Sequence, residues 1–346
     1  MVKWGPVMRI GPQEDPGMTH IDSEVIKNAV QMACRAPSLH NSQPWLWVAE
    51  AGALHLFADT DHIGYATDSS DREVILSCGA VLDHLRVAMA AAGFDTHTHR
   101  LPNPSDPDHL ASLEFTALPL VTDAHRRRAG AIRRRRTDRR AFAAPQDWES
   151  FEPVLRRAFD AEAATLDVVA EEARPRLAQA SRLTETLRAN DSFYHAELAW
   201  WTVTGSGSDH GMSPSALPSE SEAGRIDVAR AFPIAGTAER RVGIAADQSK
   251  IVVLSTHHDS PAQLLHCGEA LSAVLLECTI AGLATCTLTH MIELGASRDI
   301  VRDVIRTPGL PQVLIRVGTV PPPDGAPPPT PRRPLAEILK FLEFRD

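Results

Sequence analysis

The chain has 346 residues, with 35 lysines and arginines against 44 aspartates and glutamates, for a net charge of −9 at neutral pH. Hydrophobic residues make up 43% and charged residues 23%, which excludes a disordered or fibrous chain and allows a sizeable core. Five scattered cysteines form no C-x-x-C pair, and no run approaches the roughly 18 apolar residues of a membrane span, so a disulfide framework and a membrane protein are excluded and a cytoplasmic one is expected.

Residues 1–20 are rich in glycine and proline without an apolar segment, and read as a flexible arm rather than a signal peptide. Residues 22–34 predict a helix capped by Asp22 or Ser23 and stopped before Pro37. The loop PSLHNSQPW (37–45) follows. Its prolines fix the backbone, while Ser38, Asn41 and Gln43 offer donors and acceptors; taken alone, such residues more often make an ordinary capped turn. Strands are predicted over Trp45–Ala49 and Leu54–Ala58, and a long helix over Arg72–Ala92.

That helix has a twin. ILSCGAVLDHLRVAMAAAGFDT (75–96) aligns without a gap with LLHCGEALSAVLLECTIAGLAT (264–285), so that Gly79 matches Gly268 and Gly93 matches Gly282. Both copies are apolar on nearly every side, the mark of a buried helix. A strand pattern follows each, LEFTAL (113–118) and VLIRVG (313–318). The chain therefore reads as two copies of one α/β unit, 21–124 and 125–346, related by a pseudo-two-fold axis with the twin helices in contact across it. In the second copy, helix-like segments fall at about 149–160 and 174–200, with strands at 165–169 and 250–256. Within an insertion at about 203–245, Gly205–Gly224 has the composition of a mobile loop without its own core, either disordered or a lid. A proline-rich crossing at 321–334 leads to a short final helix.

Nine arginines fall between Arg126 and Arg140, concentrated in RRRRTDRR (133–140). Guanidinium forks pair phosphate oxygens two at a time, and a phosphate monoester brings roughly −1.5 to −2 charges. A solvated arginine-rich surface is the plainer alternative. Nucleic acid is not expected as a partner, because the stretch lacks interleaved aromatics for stacking bases. The histidine pairs His97/His99 and His257/His258 lack carboxylate companions, so no metal is expected.

The loop PSLHNSQPW resembles the P-S-x-x-N-x-Q-P-W signature of the nitroreductase-like FMN proteins, and Arg135, Arg136, Thr137 and Arg139 resemble that family's R-R-S-x-R stretch, with threonine for serine. Residues 268–283 resemble its G-x-A-x-x-x-x-L…GL helix, and the whole arrangement is similar to the duplicated, dormancy-associated Acg-type branch of actinobacteria. The resemblance implies an α+β nitroreductase fold, two units fused in one chain like a homodimer, and FMN as cofactor. It implies that Arg135, Arg136, Thr137, Arg139 and either Arg332 or Arg333 hold the phosphate. Pro37, Ser38, Leu39 and Asn41 would line the ring, with Leu288, Thr289 and His290 along its far edge. His290 reads more simply as a buried neutral filler than as a charge stabiliser. Only the first half carries the loop and only the second half the arginine motif, so one flavin per chain is expected, with a monomer sufficient for the site. The implied activity is NAD(P)H-dependent reduction of nitroaromatic or quinone-like acceptors, with no side chain assigned a catalytic role. The alternative is FMN storage under a closed lid.

Overall fold

The computed structural model describes residues 21–50, 52–60, 67–68, 70–203, 209–236, 239–241, 243–321 and 330–342. The expected arm at 1–20, residues 204–208 of the insertion and most of the 321–334 crossing lie outside the described residues.

Helix α1 (Ser23–Ala33) starts where the Asp22 side chain accepts from the Glu24 amide, and it buries Ile26, Ala29, Val30 and Ala33 on one face. Two strands follow, β1 (Trp45–Glu50) and β2 (Ala53–Ala58), then α2 (Arg72–Ala92), β3 (Phe94–Arg100) and β4 (His109–Ala117). After α3 (Asp123–Arg134) and α4 (Trp148–Arg156), the same grammar returns as β5 (Thr165–Val168), β6 (Lys250–Thr256), α8 (Pro261–Ile280), β7 (Ala284–Leu288) and β8 (Leu310–Gly318). Each sheet runs in the spatial order first, second, fourth, third: β1-β2-β4-β3 and β5-β6-β8-β7, every one of these pairs antiparallel. The second–fourth pair slips register in both sheets, at Leu56/Phe57 and at Leu254/Ser255. What separates β5 from β6 is α5 (Arg174–Arg188), α6 (Ser192–Val203) and α7 (Glu220–Ala223), whereas in the first sheet β2 begins three residues after β1 ends. Helix α9 (Gly295–Arg302) lies between β7 and β8. The chain end returns to the first sheet: α10 (Leu335–Ile338) runs into β9 (Leu339–Phe341), which pairs parallel with β1.

Helices α2 and α8 cross at their aligned glycines. A Cβ on Gly79 would stand 2.1 Å from the Leu265 carbonyl oxygen and 2.8 Å from the Gly268 Cα, and the reciprocal holds for Gly268 against Leu76 and Gly79. The absence of side chains lets two backbones touch. The other matched glycines end the helices, Gly93 at φ 96° and Gly282 at φ 76°, a region that residues with a Cβ avoid. By length and composition α2 could cross a membrane, but 78% of its apolar window is buried inside the fold.

Two expectations change. Residues 174–200 form two helices rather than one, because Asp191 breaks the run and accepts from the Tyr194 amide at 3.0 Å. From residue 209 onward the expected coreless loop is packed: Met212, Leu217 and Glu222 are buried, and Glu222 accepts from the Arg240 and Arg241 amides.

Histidine 109 makes the first sheet acid-sensitive. Its ring stacks on Phe57 at 4.4 Å and meets His55 at 3.2 Å. Burial, then the neighbouring His55, pushes its imidazole down to about 4. An unfolded imidazole titrates near ~6.5. Between those values the unfolded chain binds a proton that the folded chain refuses, so stability is lost as pH falls from about 6.5 toward 4. His109→Gln should flatten the drop in melting temperature between pH 7 and pH 5; a drop as steep as in the parent chain would refute this.

Candidate functional site

A cleft with about 950 Å³ of empty volume, part of it open at the mouth, lies where the two repeated units meet. One wall comes from the bent loop: Pro37, Ser38, Leu39 and His40. Left-handed backbone at His40, Asn41 and Gln43, all non-glycine, makes the bend. It is locked by the Leu39 amide donating to Ser77 Oγ at 3.2 Å and the Gln43 amide donating to Ser38 Oγ at 3.0 Å. The opposite wall comes from the second unit, Thr137, Arg139 and Cys286–Thr289. Thr137 bridges to Thr285, which sets the arginine stretch alongside β7.

Four guanidiniums without a carboxylate partner among the described residues gather together, Arg35, Arg135, Arg136 and Arg332; in sequence Arg136 precedes the cleft residue Thr137 and Arg35 lies two before Pro37. Arg135 is buried, donates once to the Arg35 carbonyl at 3.1 Å, and has no partner for Nε or Nη1. Arg332 grips the carbonyls of Cys34 and Arg35 at 2.7 and 3.1 Å. Burial first, then like charge from the other arginines, pushes Arg135 down to about 10 and Arg332 to about 9. Both remain cations at neutral pH. Gathering four cations, one of them with buried donors that have no partner, costs stability unless an anion is meant to sit among them.

The other expected arginines stand apart. Arg333, which the resemblance offered as an alternative to Arg332, pairs with Asp59 at 2.9 Å and donates to the Gln43 carbonyl at 3.1 Å, so it is already neutralised. Arg139 lines the cleft, with Nη2 at 3.0 Å from Met212 Sδ and its guanidinium 5.7 Å from the Phe232 ring centre. Its electrostatic neighbours are Cys286, Asp138, Arg230 and Arg140, not the four-arginine cluster. Of the rest of the run, Arg126 and Arg128 face Asp123 and Glu277, Arg140 faces Asp138 and Glu222, and Arg127, Arg133 and Arg134 are exposed.

Asn41, expected at the ring, turns its amide to the carbonyls of Gly211 (3.1 Å) and Pro331 (3.3 Å). Gln43 likewise donates to Asp209 and accepts from the Arg333 amide. These two residues tie the insertion and the chain end down over the loop. Leu288 and Thr289 line the cleft. His290 lies behind them with Nε2 at 2.9 Å from Ser181 Oγ, and burial, then Arg230 and Arg316, hold it well below the usual imidazole range. His40 is kept neutral in the same way, by burial and by Arg230 and Arg139.

Several lining residues carried no signal in the sequence. Glu73 reads as an acidic residue in the first turn of a helix, favourable to its dipole. Arg230 falls in a stretch with no periodicity, whereas Met212 lies in the expected lid segment and Phe232 flanks it. Arg230 is buried with Glu293 and donates to the hydroxyls of Tyr194 (3.1 Å) and Thr289 (3.2 Å). Arg316 is paired with Asp247 at 3.0 Å.

No family model matches the chain. A Mycobacterium tuberculosis protein with the provisional name NAD(P)H nitroreductase acg is 54% identical over 321 residues, 93% of this chain and 97% of the relative. A second protein of that organism, named only as uncharacterized, is 53% identical over 323 residues, 92% of this chain and 94% of the relative. Among solved structures, an Anabaena variabilis protein provisionally described as a nitroreductase superposes with a TM-score of 0.49 at 9% identity, over 86% of this chain and 88% of that one. The FMN-dependent nitroreductase NfnB of Mycobacterium smegmatis, in complex with NADPH, gives 0.36 at 18% identity, over 64% of this chain and 100% of that one. Both scores are below 0.5, and the assignment rests on the sequence relatives. More than half the residues are shared along nearly the whole length of both chains, and on that ground this chain belongs to the nitroreductase family.

Proposed function

We propose that the chain holds one FMN where its two units meet and passes electrons from NAD(P)H to a nitroaromatic or quinone-like acceptor. The carrying observation is the cluster of Arg35, Arg135, Arg136 and Arg332, unpaired with any described carboxylate and next in sequence to the cleft residues Pro37 and Thr137. A phosphate there would give Arg135 Nε and Nη1 the acceptors they lack. Pro37–Leu39, Leu288, Thr289 and Arg139 would flank the ring. When bound, FMN supplies two-electron transfer between nicotinamide and acceptor; the protein supplies grip, orientation and a dry wall. One chain carries both walls, so a monomer suffices.

A second reading, storage of FMN without turnover, draws support from the roof. Met212 and Pro218 line the cleft, and the 209–212 segment is tied to the loop through Asn41 and Gln43. Purified protein should carry one flavin per chain. Under anaerobic conditions its visible band should bleach within seconds of adding NADPH or NADH. Persistent yellow with both donors would favour storage; a colourless protein that takes up no FMN would overturn both readings.

A further inference from the structure

Buried carboxyls gather around the start of α2, beside the cleft residue Glu73. The side chains of Asp68, Glu73 and Glu293 are all buried, and the guanidiniums among them are Arg72 and Arg230. Each cation is committed. Arg72 donates to Glu73 and to the Gln312 carbonyl and amide oxygens, while Arg230 donates to Glu293, Tyr194 and Thr289. That leaves Asp68. Its Oδ2 accepts from the Val74 amide at 2.9 Å, but its buried Oδ1 has no partner, although the Glu73 carboxyl is within hydrogen-bonding reach. Two carboxyls so close in a low-dielectric wall repel when both are ionised, and a proton on Glu73 relieves that repulsion. It gives Asp68 Oδ1 a donor.

We propose that Glu73 keeps a proton at neutral pH and donates it to Asp68 Oδ1, and that Glu73, which lines the cleft, delivers it to an oxygen of the acceptor during reduction. The delivery step rests on the reductase reading above. Burial, with Asp68 and Glu293 reinforcing it and Arg72 opposing it, holds the Glu73 carboxyl well above its usual range. The step balances. A quinone-like acceptor takes up two electrons and two protons; NAD(P)H, the reductant, supplies the electrons with one hydrogen, and the Glu73 O–H bond breaks as an O–H bond forms on the acceptor. The carboxylate regains its proton from solvent by way of Asp68, whose neighbour Asp71 is exposed.

Glu73→Gln keeps the shape and can still donate to Asp68, but it has no acidic proton. In FMN-loaded protein, bleaching by NADPH should proceed within about two-fold of the parent rate. Reoxidation by p-benzoquinone or nitrobenzoate should slow at least ten-fold, since a positioned general acid contributes about 10²–10⁴. In FMN-free protein at pH 7, infrared spectroscopy should show the carbonyl stretch of a protonated carboxyl that is lost in Glu73→Gln and also in Asp68→Asn. A band unchanged in both variants, or absent from the parent, overturns the proton on Glu73. Unchanged reoxidation overturns the delivery step. If neither nicotinamide bleaches the parent protein, the reductase reading falls and takes delivery with it, while the infrared band still decides the proton's place.

Discussion

Arg135→Met combined with Arg136→Gln should give a folded protein that purifies without colour and binds FMN at least about a hundred-fold more weakly than the parent. Charge-assisted hydrogen bonds contribute about 1.5–3 kcal/mol each, and two of them correspond to roughly 10²–10⁴ in affinity. The stability of the FMN-free protein should move the other way. Arg135 is a buried cation with two unspent donors, repelled by Arg35 and Arg136, so removing it relieves a cost in the empty protein. Thermal denaturation without FMN should therefore show an unchanged or higher melting temperature. Titration by flavin fluorescence measures the affinity. A double variant as yellow as the parent would remove the phosphate assignment. Arg333→Gln serves as the contrast: it breaks the buried pair with Asp59 and should lower stability more than it lowers FMN affinity.

Gly79→Ala should be among the most damaging single methyl additions in the chain. The new Cβ would sit 2.1 Å from the Leu265 carbonyl oxygen, and backbone on both sides blocks any local escape. The helices must separate along their whole contact, which lies in the middle of the core. Overpacking usually costs about 1–3 kcal/mol, and with rigid backbone as the obstacle the upper end or beyond is expected. Gly130→Ala is the control. That glycine lies within α3 with nothing within 4 Å of a new Cβ, so alanine should stabilise by about 0.5–1 kcal/mol through helix propensity. Urea denaturation of the two variants should give shifts of opposite sign. Equal shifts would mean the α2–α8 crossing does not limit stability.

Much of this architecture is legible because it is written in periodicity and in glycine. The apolar run at 75–96 and its copy at 264–285 demand burial, and a glycine at the same place in each permits one buried helix to touch the other. The strand patterns at 45–49, 54–58, 250–256 and 313–318 fall within strands, and the one at 113–118 runs one residue past the end of β4. The arginine run is different. Composition announces cations but not their partners, and here the run scatters: Arg128 faces Glu277, Arg139 enters the cleft beside Met212, and Arg135 joins Arg35 and Arg332 from distant parts of the chain.

What the chain alone determined was local: where helices start and stop, which faces are apolar, and that two stretches repeat. Which charges are cancelled was decided only by tertiary structure, because neutralisation depends on distances between residues far apart in sequence. Arg332 and Arg333 are adjacent and of one type, yet one faces three other cations and the other a buried aspartate. The same holds for Asn41 and Gln43, whose polar groups suit a ligand until 209–211 and 331–333 arrive to use them.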